Sequence, residues 1–271
     1  MRTLFEFESE RVGSETSKEG VTAAGQQIID VKLVAKEVVQ HDSRLQEAYL
    51  VDWNGESAGK AIIKDGYLLA VVSDRYAVVP NSRVVQFLEQ LEQSGKVKIL
   101  DVKYSGFRDS VVRVTIKKGN DWFYILNSED RSVRLMVVPV VYGIPIPYCY
   151  MRKHLGKIDE NIIEQFLDAV DKAKEKIEEW LEELRKPVSK EEFKEFIEVL
   201  EGRVAKKYWQ PVIGIVYTRK DITWLDVLRE IVKAIWRNER LAEHVRIGAT
   251  RTVFNLLAGY TGMKQLREIV F

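Results

Sequence analysis

Apolar positions along this chain alternate between short β-type runs and helical stripes. Between Ala48 and Val72 they form short runs, AYLVDW, GKAIIKDG and YLLAVV. Asn54-Gly55 and Asp65-Gly66 lie between these runs, and such dipeptides favour tight hairpin turns. Upstream, Ile28 to Val39 are apolar without a settled period, so helix and strand both stay open. After Pro80 and Asn81 the spacing changes, with Val84, Val85, Leu88 and Leu91 on one stripe and Gly95 placed to close a helix. Four β-type runs follow at 97–104, 111–118, 121–127 and 133–142. Gly119-Asn120 joins the second to the third, and Gly106 and the residues 128–130 separate the others, which predicts an antiparallel meander.

Beyond Pro145 and Pro147 the helical period takes over. Ile158, Ile162, Phe166, Val170, Ala173, Ile177, Leu181 and Leu184 recur every three or four residues, predicting one long amphipathic helix that Pro187 ends. Ser189 with Glu192 is a capping box for a second helix closed by Gly202. Residues 203–222 read as a basic, aromatic, irregular connection with one candidate strand, VIGIVYT. A third helix opens at Thr223 with Asp226, and a last one runs through TRTVFNLLAGY. Strands first and helices second make an α+β fold. The expected organisation is a loose arm at 1–27, a β-rich core at 28–150 and a helical region at 151–271 packed on that core.

Composition narrows the class. Of 271 residues 46% are hydrophobic and 10% aromatic, enough for a sizeable core and too much for a disordered chain. The single cysteine, Cys149, forbids an intrachain disulfide and a cysteine-rich zinc site. It has no adjacent base and reads as a buried thiol. No apolar run approaches the roughly 18 residues of a membrane span, and the start MRTLFEFESERVG has no signal-type apolar core. A soluble, cytoplasmic protein without membrane partners is expected. Charged residues at 31%, with one Cys and four Met, lean towards a heat-adapted source. The net charge of +1 hides blocks. Residues 1–95 carry −5, 96–157 carry +7, 158–202 carry −8 and 203–271 carry +7. Either the basic blocks meet a polyanion, or the blocks neutralise one another inside the fold.

Candidate chemistry is sparse. The three histidines are isolated, and both GxGxxG and GxxxxGK[ST] are absent, which removes the commonest nucleotide-binding readings. No cofactor and no catalytic set is assigned. Asp52, Asp65 and Asp74 are the carboxylates from which a metal-dependent nuclease would have to be built, although Asp65 looks committed to a turn. The meander carries the stronger pattern. Alternation sets Val112, Val114 and Ile116 against Arg113 and Lys117, and Lys98 and Arg134 alternate with their aliphatic neighbours in the same way. Trp122 and Tyr124 share a face of DWFYILN. Cations that track phosphates beside aromatic faces that stack bases are what single-stranded nucleic acid requires. Two more basic clusters, Arg152, Lys153 and Lys157 before the long helix and Lys206 and Lys207 after the second, extend the candidate surface.

The segment 68–91, LLAVVSDRYAVVPNSRVVQFLEQL, resembles the phage/plasmid-like protein family, also called domain of unknown function 932. The resemblance rests on Val71, Val72, Ser73, Asp74, Arg75, Tyr76, Asn81, Phe87 and Leu88, with weaker echoes in MRKHLGKIDENI and TRTVFNLLAGY. It implies a protein of a mobile element, carried by a virus or plasmid in a prokaryotic host. A meander backed by helices is also similar, as a fold-level analogy, to ring-forming single-strand annealing proteins. Asp74, Arg75 and Tyr76 read either as a functional step or as a buried salt bridge with a packed tyrosine. The leading expectation is a binder or annealer of single-stranded DNA. A protein-interaction or regulatory role and a metal-dependent nuclease are the alternatives. Self-association is expected through Trp180, which lies off the long helix's stripe, and through open sheet edges.

Overall fold

A computed structural model describes residues 34–52, 54–148, 151–152, 162–219 and 221–266. The proposed arm at 1–27 and Cys149 lie outside the described residues. The architecture is α+β, with two antiparallel sheets followed by helices. The first sheet has strands β1 (Val34–Gln40), β2 (Leu45–Val51), β3 (Ser57–Lys64) and β4 (Tyr67–Val72) in sequence order. Its β3–β4 hairpin turns at Asp65 (φ 51°) and Gly66 (φ 78°), the two positive dihedrals a tight hairpin demands.

Helix α1 (Asn81–Gln93) leads into the meander β5 (Lys98–Ser105), β6 (Val111–Lys118), β7 (Asp121–Ser128) and β8 (Leu135–Val141). Short strands β9 (Ile144–Pro145) and β10 (Met151–Arg152) both pair with β8. Helices α2 (Ile162–Glu182), α3 (Lys190–Leu200), α4 (Lys206–Thr218), α5 (Trp224–Arg237) and α6 (Glu243–Thr261) complete the described chain. The capping boxes expected at Ser189–Glu192 and Thr223–Asp226 form on α3 and α5.

Both faces of the meander are covered over much of its area. One face presents Val112, Val114, Ile116, Phe123, Ile125, Leu135 and Val137 to the main core, shared with α1, α2 and α5. On the other face Val111, Leu126, Met136 and Val138 pack with Ile247 of α6, beside Tyr124 and Trp236. The alternation in β6 and β7 therefore marks two buried faces of different polarity, rather than one buried face and one wet one.

Two expectations are corrected. Residues 203–222 hold helix α4 in place of a strand, despite the β-branched residues and Pro211. Val212 and Val216 recur at helical spacing and are buried, so tertiary packing overrides a modest local preference. Trp180 is not available to a partner. It is 2% exposed, stacks on Phe254 at 5.6 Å and donates from Nε1 to the Lys264 carbonyl at 2.9 Å.

Candidate nucleic-acid interface

The register of the second sheet decides which of the candidate residues meet. On the face that carries Tyr124, Lys98 pairs with Lys117, Lys117 with Trp122, and Trp122 with Val140. These residues form one row across four strands, near the end where β6 turns into β7. Trp122 is 49% exposed although it sits within a strand. Lys98 is exposed and Lys117 half-buried. Neither lysine has an ion-pair partner among the described residues. Two like charges directly opposite each other on a sheet repel, and no carboxylate of the row relieves them.

Arg113 is not part of this surface. It lies four residues from Lys117, about 13 Å along the strand. Its guanidinium pairs with Glu243 of α6 at 2.9 Å, with side chains 12% and 6% exposed, and Glu243 also pairs with Arg246, which is 1% exposed. Tyr124 is likewise covered, stacked on Trp236 at 4.9 Å and an interplanar angle of 15°. The reading of Arg113 and Tyr124 as free contacts is therefore replaced by an ionic and aromatic seam under α5 and α6. Nothing near Arg113 in the sequence announces Glu243, because the partner lies 130 positions away.

The other candidates fall in separate places. Arg134 is exposed, but it precedes β8 at the opposite end of the same face, across the part that Ile247 and Trp236 cover. Arg152 pairs through its backbone with Leu135, and its side chain, like Lys153 and Lys157, lies outside the described residues. Lys206 and Lys207 are exposed on the first turn of α4. Their neighbours Tyr208 and Trp209 are core residues, 4% and 3% exposed, and Trp209 Nε1 donates to the Val204 carbonyl at 3.0 Å. Arg237, the last residue of α5, and Arg240, three residues beyond it, are further exposed cations that the sequence reading did not include. Their position at and just past the end of an amphipathic helix is the available signal.

Part of the charge patterning is internal neutralisation. Acidic α2 takes up Lys96 through Glu164, and Lys118 through Asp168 at 2.9 Å and Asp171 at 2.7 Å. Lys98 and Lys117 are left out of this arrangement.

The inner face of the first sheet carries a buried polar junction that no local motif announced. Lys64 Nζ donates to Glu129 Oε2 at 2.6 Å and to the Asp109 carbonyl at 3.0 Å. Glu129 Oε1 accepts from the Asn81 N–H at 2.8 Å, at the start of α1. Burial pushes the Glu129 carboxyl above its ordinary range, and Lys64 and the Asn81 N–H offset only part of that. Nearby, Glu47 accepts from Lys60 at 2.8 Å and meets His41 at 2.9 Å. Burial raises its pKa, but His41 and Lys60 more than reverse this and hold it below the usual carboxylate range. These groups satisfy one another, and that is the signature of a structural joint.

The carboxylates weighed for metal chemistry are dispersed. Asp52 Oδ1 accepts from the N–H groups of Asn54 and Glu56 at 2.9 Å, and Asp65 is held by Arg44 at 2.7 Å. Asp74 accepts from Ser57 Oγ. Asp74 and Arg75 are exposed while Tyr76 is buried against Leu45, Ile62 and Val72, so a buried salt bridge is absent from this step among the described residues. Comparison with known proteins finds no matching family model, no matching curated protein and no matching solved structure.

Proposed function

We propose that this protein binds single-stranded nucleic acid at the open end of its second sheet. The observation that carries the reading is the row Lys98, Lys117 and Trp122. It sets a half-exposed indole beside two opposed, unpaired ammonium groups. A phosphate between the lysines relieves their repulsion, and a neighbouring base stacks on the indole. Both contacts ignore base identity, so the protein binds strands with little sequence preference. Duplex DNA hides its base faces and cannot use Trp122 in this way. The resemblance of residues 68–91 to phage/plasmid-like proteins supports a role for such binding in a mobile element.

Fluorescence anisotropy with a labelled oligothymidylate and a duplex of equal length tests this. Wild type should prefer the single strand, and Trp122→Ala should weaken that binding by about 1–3 kcal/mol. Equal binding of both forms, or a Trp122→Ala variant with wild-type affinity, would remove the proposal.

A further inference from the structure

Five cations from two segments, 203–207 and 237–240, flank one contact at a corner of the helical layer. Asn238, just past α5, donates from Nδ2 to the Tyr208 hydroxyl in the first turn of α4 at 3.1 Å. This contact joins the segment that carries Arg203, Lys206 and Lys207 to the segment that carries Arg237 and Arg240. All five are exposed, and none has an ion-pair partner among the described residues. Ordinary helix electrostatics account for Arg203 and Arg237, which follow or end helices whose C-termini favour cations. They do not account for Lys206 and Lys207, which open a helix with no acidic residue in its first turn.

A second observation lies directly beneath. The Asn238 carbonyl accepts from Arg246 Nη2 at 2.8 Å, and Arg246 is 1% exposed. Arg246 and Arg113 share the single carboxylate of Glu243, so one buried and one largely covered guanidinium meet one negative charge. Arg246 Nε is buried without a hydrogen-bond partner. A buried surplus of positive charge raises the potential of the surface above it, because low-dielectric surroundings screen it little. The corner is also tied to the sheet. Lys103 of β5 pairs with Glu239 at 3.2 Å, and Lys98 lies on the same strand about 15 Å away.

We infer that a strand held at the Trp122 row runs along the edge of β5 to this corner, which grips its phosphates without stacking bases. The inference rests on the reading of the row as a strand-binding site and extends that site to a second, purely ionic anchor. Binding then depends on strand length, because only a strand long enough to span β5 reaches both anchors.

Oligothymidylates of about 3 nucleotides, too short to span β5, and about 30 nucleotides, well beyond single-module site sizes, separate the two anchors. The variants are Lys206→Gln/Lys207→Gln and, from the other segment, Arg237→Gln/Arg240→Gln. Each should bind the long strand at least about tenfold more weakly than wild type at low salt and the short strand like wild type. Each should also lower the log–log salt slope for the long strand by about 1.4, at about 0.7 per lost contact. If both variants bind the long strand like wild type while Trp122→Ala still weakens it, the corner is a solvated surface and only the row stands. If wild type binds neither strand, the row and the corner fall together.

Discussion

Removing Glu129 should cost this protein a large share of its stability. In the Glu129→Ala variant Lys64, whose side chain is 6% exposed in the wild type, keeps only the Asp109 carbonyl as a partner among the described residues. The same change strips the Asn81 N–H of its acceptor at the start of α1. Breaking a buried ion pair from one side costs about 3–5 kcal/mol, and an orphaned buried donor about 1–3. Lys64 can shed its proton or draw in water, so the two do not add in full, and about 4 kcal/mol is expected. Natural proteins have only about 5–15 kcal/mol in hand. Urea unfolding followed by far-ultraviolet circular dichroism should show a midpoint lowered by more than about 1 M, given slopes of about 1–3 kcal/mol/M. The double variant Lys64→Met/Glu129→Leu should recover the part of the loss due to the uncompensated Lys64 charge, but not the part due to the Asn81 N–H, which still lacks its acceptor. A Glu129→Ala midpoint within error of wild type would refute the view that this pair joins the two sheets. So would a double variant as weak as the sum of the single ones.

Other consequences follow from the same contacts. Arg113→Ala should destabilise by about 1–3 kcal/mol in thermal melts, below the full cost of a broken buried pair, because Arg246 still compensates Glu243. A free surface arginine would give no measurable change. Glu47 has a folded pKa below its ordinary 4.5, so the stability it contributes is present above about that pH and lost as pH falls through the folded value. Glu47→Gln should therefore lower the melting temperature near neutrality and flatten its decline on acidification. A parallel decline in both proteins would contradict the assignment. Trp180→Ala should cost about 3–5 kcal/mol through the lost packing on Phe254, where a surface tryptophan would cost almost nothing.

Local rules made much of the fold legible. The Asp65-Gly66 turn, the α1 stripe and the capping boxes of α3 and α5 depend on residues a few positions apart, and each forms as read. Period-two alternation in β6 correctly separated Arg113 and Lys117 from the aliphatic positions. Alternation assigns a side chain to a face, however, and says nothing of what covers that face. Glu243 and Trp236, which cover Arg113 and Tyr124, come from helices more than 100 residues downstream. The same limit hid the Lys64–Glu129 pair, whose members are 65 residues apart. The β-branched run of α4 favours a strand locally until α5 supplies a surface to pack against.

The central claim is that the row Lys98, Lys117 and Trp122 combines two ionic contacts with one stacking contact. Its most direct test is the salt dependence of oligothymidylate binding by wild type, Lys98→Gln/Lys117→Gln and Trp122→Ala. The double lysine variant should lower the log–log salt slope by about 1.4, two contacts at about 0.7 each, while Trp122→Ala weakens binding at every salt concentration and leaves the slope unchanged. Wild-type slope and affinity in the lysine variant would contradict the claim.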